Sequence, residues 1–204
     1  MHIADLVLID SHPVRVAIDD ELVIESLFVP NLNISITDSG MGDVQPDELA
    51  RGLLHIYEHN NQAVPEGSAI RLGGDDGLER AGELFRALSS LSLRERFTAY
   101  VEAIARSSGE QMPVEMAEGL FKLYRQSFKA AQFTPLPYVG DIRFILAKEP
   151  FSFLPGAEQM TLDFWQDICI GDFKITDIEG NHFSCIEEEP HAAELARIIL
   201  EPLR

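Results

Sequence analysis

The chain has 204 residues, a formal net charge of −18 and 46% hydrophobic residues. That length suits one domain with room for an insertion, and that share of apolar residues supports a buried core, which excludes wholesale disorder. The acidity excludes a nucleic-acid backbone or an anionic membrane as partner, because both attract clustered Lys and Arg. No apolar run approaches the roughly 20 residues that span a bilayer. The start, Met1-His2-Ile3-Ala4-Asp5, shows no basic region followed by an apolar stretch, so no secretory signal is read there. Two cysteines, Cys169 and Cys185, are too few for a disulfide framework and read as reduced thiols in a cytoplasmic setting.

In chain order, the first element is Leu6-Val7-Leu8-Ile9, closed by Asp10-Ser11-His12-Pro13. Four unbroken apolar residues at a turn suit a parallel strand buried on both faces. Residues 13–45 show no sustained period and contain the turn-prone Thr37-Asp38-Ser39-Gly40-Met41-Gly42, so they read as loop with short structured pieces. Pro46 fits a first helical turn, and Leu49, Leu53, Leu54, Ile56 and Tyr57 follow at helical spacing. Gly73-Gly74-Asp75-Asp76-Gly77 reads as a loop, with helices at about 78–90 and 93–106. A stronger helix runs from about 114 to 131, with Met116, Leu120, Leu123, Tyr124, Phe128 and Ala131 on one stripe. Its Phe and Met residues read mostly as core, and Pro135 and Pro137 end the helical region.

Asp141–Ala147 reads as a strand, residues 161–167 as a short helix around Trp165, and Phe173–Ile178 as another strand. A last helix begins near Pro190 and places Leu195, Ala196, Ile199, Leu200 and Leu203 at i, i+3/i+4 spacing. The expected order is strand, long helical insert, strand, helix, strand, helix. Strands separated by helical crossovers predict an α/β fold with a mainly parallel sheet.

Four stretches, in this order, resemble the thioesterase domains of nonribosomal peptide and polyketide synthases, which belong to the α/β-hydrolase superfamily. They are Ala4 to Pro13, ending in Asp10-Ser11-His12-Pro13; Phe128 to Gly140; Leu162-Asp163-Phe164-Trp165; and Gly180-Asn181-His182-Phe183-Ser184 with the acidic run up to Pro190-His191. The resemblance implies the C-terminal portion of such a domain, a partial α/β-hydrolase fold with a lid insertion at approximately 40–135. It also implies a substrate carried as a thioester on the phosphopantetheine arm of an acyl or peptidyl carrier protein, with no cofactor bound directly.

Acyl transfer of this kind needs a nucleophilic serine, a histidine to take its proton and a carboxylate to hold the imidazole. By family match Asp10 is the carboxylate and His182 the general base. Both also follow the carboxyl ends of expected parallel strands, where catalytic groups gather. Read without the family, Asp10 is a turn cap and His182 a solvated loop residue. The nucleophile is missing: the sequence contains no Gly-x-Ser-x-Gly, the strained strand-to-helix turn that presents the serine. In the family that turn precedes the aspartate-bearing strand, so it is expected upstream of Met1 together with the oxyanion-hole donors. Ser39 lacks a glycine two positions earlier, and Cys185 reads as a packed thiol.

No metal site is expected. His55 and His59 stand at i, i+4, but the Glu of His-Glu-x-x-His is not in place and no third ligand suggests itself. The leading reading is thus part of a thioester hydrolase or cyclase, and the alternative is a catalytically inactive thioesterase-like fragment or docking module. On the fragment reading the strand at residues 5–10 has a bare apolar edge, an invitation to self-association.

Overall fold

The computed structural model describes residues 5–13, 16–74, 78–130, 135–149 and 157–200. Its strands are β1 (Asp5–Ile9), β2 (Ala17–Ile18), β3 (Ala63–Val64), β4 (Asp141–Ala147) and β5 (Phe173–Ile178). Its helices are α1 (Glu21–Phe28), α2 (Pro46–His59), α3 (Glu79–Ser89), α4 (Leu93–Ser108), α5 (Val114–Ala130), α6 (Ala157–Ile168), α7 (Ser184–Glu187) and α8 (Glu189–Leu200). The chain divides into two compact units, Met1–Pro13 with Phe133–Arg204, and Val14–Gln132.

The first unit is an α/β structure built on a parallel sheet in the order β1-β4-β5. β4 is the central strand and the most apolar, with Ile142, Phe144 and Ile145 almost fully buried, as a strand paired on both sides requires. Leu6, Val7, Leu8 and Ile9 of β1 are only half-buried, which corrects the expectation of burial on both faces. Among the described residues β1 is an edge strand. Ile145, Ala147 and Ile178 from the sheet pack with Cys185, Leu195 and Ile198, and Val7 and Ile9 lie against this cluster. The buried face of α8 is therefore Leu195 and Ile198, while Ile199 and Leu200 are exposed. The expected stripe had the helix rotated: Ile198-Ile199-Leu200 offers two apolar phases, and contact with β4 and β5 selects one. Leu203 lies outside the described residues.

The second unit is helical, with β2 and β3 forming a two-residue parallel pair. Residues 17–39 are more ordered than the loop expected there. Asp20 caps α1 by accepting from the Leu22 and Val23 N–H groups, and two 3₁₀ turns follow at Val29–Leu32 and Ile36–Ser39. Its core holds Phe28, Phe97, Tyr100 and Phe121. Glu25 is buried there with Arg96, whose Nε and Nη2 donate to it at 2.8 and 2.9 Å, and with the Tyr100 hydroxyl at 2.8 Å. On α5 the buried residues are Ala117 and Phe121, whereas Met116, Leu120 and Leu123 are exposed. That corrects the expected stripe, because small Ala117 lets Phe121 reach Phe28 and Phe97.

Candidate active site

The site forms where the sheet stops being regular. Asp10 follows β1, and its N–H still donates to the Ile145 carbonyl at 2.7 Å, prolonging the ladder by one bond. Its φ is +41°, in the left-handed region that Asp tolerates better than most residues. The turn there aims the carboxylate at the end of β4, where Oδ1 accepts from the Ala147 N–H at 3.1 Å.

The other oxygen, Oδ2, meets two imidazoles. His182 Nδ1 lies 2.8 Å from it and His12 Nε2 lies 3.1 Å from it. Asp10 is 2% exposed. Burial alone pushes its carboxyl up, but the His12 and His182 imidazoles and the Ala147 N–H outweigh burial and hold it well below the usual carboxylate range. An ionised carboxylate only accepts hydrogen bonds. His182 Nδ1 must therefore carry the proton, and in the neutral ring the lone pair sits on Nε2. That is the tautomer of a general base.

The loop that delivers His182 is fixed by its own sequence. Gly180 has φ +92°, and a Cβ there would lie 2.4 Å from Ser184 Oγ and 2.8 Å from His191 Nδ1, so only glycine fits. Asn181 then closes an Asx turn ahead of α7: its side-chain oxygen accepts from the Phe183 and Ser184 N–H groups, both at 2.9 Å. Phe183 meets the His182 ring edge-on, centroids 5.2 Å apart.

α6 supports the other side. Trp165 Nε1 donates to the Ser11 carbonyl at 2.7 Å, and buried Thr161 places Oγ1 3.0 Å from His12 Nδ1. The short helix around Trp165 thus anchors the Asp10-Ser11-His12 turn, and it starts earlier than expected, at Ala157. The sequence reading placed Asp10 and His182, which the structure brings together across 172 positions. It missed His12. Its place two residues after Asp10 gives no signal, because β1 ends at Ile9 and the left-handed Asp10 breaks the alternation of a strand.

Asp10, His12 and His182 each offer one ligand atom, and these atoms all lie within 4.8 Å of one another. The remaining candidates lie in other settings. Ser39 sits in the second unit, in a 3₁₀ turn, its buried hydroxyl donating to the Ile36 carbonyl at 2.6 Å. Cys185 is fully buried, and burial followed by the nearby Asp10 charge pushes its thiol up, which keeps it neutral and poorly nucleophilic. His55 and His59 stack at 3.9 Å on α2, His55 half-buried and His59 exposed, with His59 Nδ1 3.0 Å from the His55 carbonyl oxygen.

No protein-family model matches the chain. No curated protein matches it significantly. Among solved structures it is similar to the wild-type Vlm2 thioesterase domain, with a TM-score of 0.43 and 13% sequence identity over 96% of this chain. The match covers 56% of that domain, so the chain spans little more than half its length. Among the described residues, no helix is long and apolar enough to cross a membrane.

Proposed function

We propose that this chain supplies the histidine and aspartate of a serine-type acyl-transfer site of the thioesterase class. The observation that carries the reading is the 2.8 Å contact between His182 Nδ1 and Asp10 Oδ2. It lies beyond the carboxyl ends of two parallel strands, where such groups work. Turn capping explains neither the contact nor the burial of the carboxylate.

In this mechanism His182 Nε2 takes the proton of a serine hydroxyl as the oxygen attacks the thioester carbonyl. The imidazolium formed is stabilised by Asp10, which stays ionised. His182 then returns the proton to the leaving thiolate, giving an acyl-serine that water or an internal nucleophile of the acyl chain resolves. The serine and the oxyanion donors come from a segment of the protein outside these residues. The substrate is an acyl or peptidyl thioester on the phosphopantetheine arm of a carrier protein, in keeping with the sequence resemblance.

The test is hydrolysis of N-acetylcysteamine thioesters by the protein that contains both this chain and its serine. His182→Ala and Asp10→Asn should each lower kcat by about 10⁴-fold or more, with KM little changed. Full activity in either variant contradicts the reading. The 204-residue chain alone should show no enzyme-like turnover and no labelling by a fluorophosphonate.

A further inference from the structure

We propose that Asp10, His12 and His182 form a binding site for a divalent transition-metal ion of the zinc class, which holds the site in an acylation-incompetent state. The donor set is two imidazole nitrogens and one carboxylate oxygen, the hard-to-borderline set that zinc takes when a fourth position is left open.

The geometry is close to what an ion needs. Metal–ligand distances of about 2.0–2.2 Å in a tetrahedron separate ligand atoms by roughly 3.3 Å. Here His12 Nε2 and His182 Nδ1 lie 3.1 and 2.8 Å from the shared Oδ2. The two ring nitrogens lie within 4.8 Å of each other, so an ion is admitted when ring rotations set that separation near roughly 3.3 Å and open the Oδ2 contacts by a few tenths of an ångström.

The outer partners are also in place. Metal-bound imidazoles donate their second N–H to an oxygen, and metal-bound carboxylates are themselves hydrogen-bonded. His12 Nδ1 lies 3.0 Å from Thr161 Oγ1, and Asp10 Oδ1 accepts from the Ala147 N–H at 3.1 Å. Asp10 and His12 come from one turn, which Trp165 pins through the Ser11 carbonyl, so two of the three ligands are held in register. His182 arrives from the glycine-dependent loop after β5.

The consequence for chemistry follows from the tautomer. When an ion takes Nδ1 of His182, the neutral ring carries its proton on Nε2, the atom that must otherwise accept the serine proton. Metal occupancy and general-base function therefore exclude each other. Neither step consumes a redox equivalent.

The test is calorimetric titration of the apo chain with Zn²⁺. It is run on the native sequence and on His55→Ala/His59→Ala, which removes the stacked histidine pair of α2. One equivalent should bind in both. Binding should disappear in His12→Gln and in His182→Gln, and should weaken about 10–100-fold in Thr161→Val, which removes only an outer partner. Circular dichroism and Trp165 fluorescence check that each variant is folded, and Thr161→Val stands in for a ligand variant that is not. Binding that survives His12→Gln, or is lost in His55→Ala/His59→Ala, overturns the proposal, as does absence of saturable binding. The acyl-transfer reading can fail independently, since it is judged by turnover in metal-free buffer.

Discussion

Replacing Asp10 by Asn keeps the shape of the side chain and the backbone preference for positive φ, and removes only the charge and one acceptor oxygen. The Oδ1 bond from the Ala147 N–H survives as a bond to a neutral amide. At the Oδ2 position an NH₂ group now faces His12 and His182, and both rings must turn their lone pairs toward it. Hydrogen bonds to a charged group contribute about 1.5–3 kcal/mol each, roughly twice their neutral equivalents. Converting the contacts of His182, His12 and Ala147, with some relief from no longer burying a charge, gives a net loss of about 2–3 kcal/mol at pH 7. For a chain of this size that lowers Tm by at least about 4 °C.

The pH dependence has a fixed sign. Asp10 is held below its ordinary value in the folded state, so its stabilisation is fully present above the unfolded value near 3.9 and is lost as pH falls toward the folded one. Below about pH 4 the gap between native and Asp10→Asn should close by roughly 1.4 kcal/mol per pH unit. The assay is thermal and urea unfolding in EDTA, followed by the fluorescence of Trp165, the single tryptophan. It is hydrogen-bonded to Ser11 beside the site. Equal stability at pH 7, or a gap that stays constant down to pH 2.5, would refute the reasoning.

Three further outcomes are expected. Arg96→Met leaves the buried Glu25 carboxylate without its ion-pair partner and should cost about 3–5 kcal/mol; Glu25→Gln/Arg96→Met should recover much of that, as read by urea midpoints. Iodoacetamide should modify Cys169 in the native chain and Cys185 only after unfolding, because Cys185 is fully buried with its thiol pushed up; mass spectrometry decides. The apolar edge of β1 should drive concentration-dependent self-association of the isolated chain, reduced by Leu8→Lys; sedimentation that is flat across a concentration series contradicts it.

The larger periodicities were legible in the sequence. Pro46 and the stripe behind it mark α2, and the apolar runs at 141–147 and 173–178 mark β4 and β5. What escaped has local causes. α1 is only eight residues long and depends on the Asp20 cap more than on a repeating stripe. The phases of α5 and α8 were misjudged because both carry more apolar residues than their contacts use, and only tertiary packing chooses among them. At the site, Asp10 and His182 stood out through their place after strands and the Gly180-Asn181-His182-Phe183 motif. His12 was passed over because its role depends on Thr161, 149 positions away, a contact no local pattern announces.

The central claim is that Asp10 holds His182 ready to act as a base, and the most direct measurement is the ring tautomer of His182. ¹⁵N-edited NMR of the metal-free chain, labelled at histidine and recorded above the range where imidazole protonates, reads which nitrogen bears the proton. The account predicts Nδ1–H, hydrogen-bonded to Asp10, with Nε2 unprotonated, and a reversal to Nε2–H in Asp10→Asn. A native ring found as Nε2–H, or a tautomer that Asp10→Asn leaves unchanged, would contradict it.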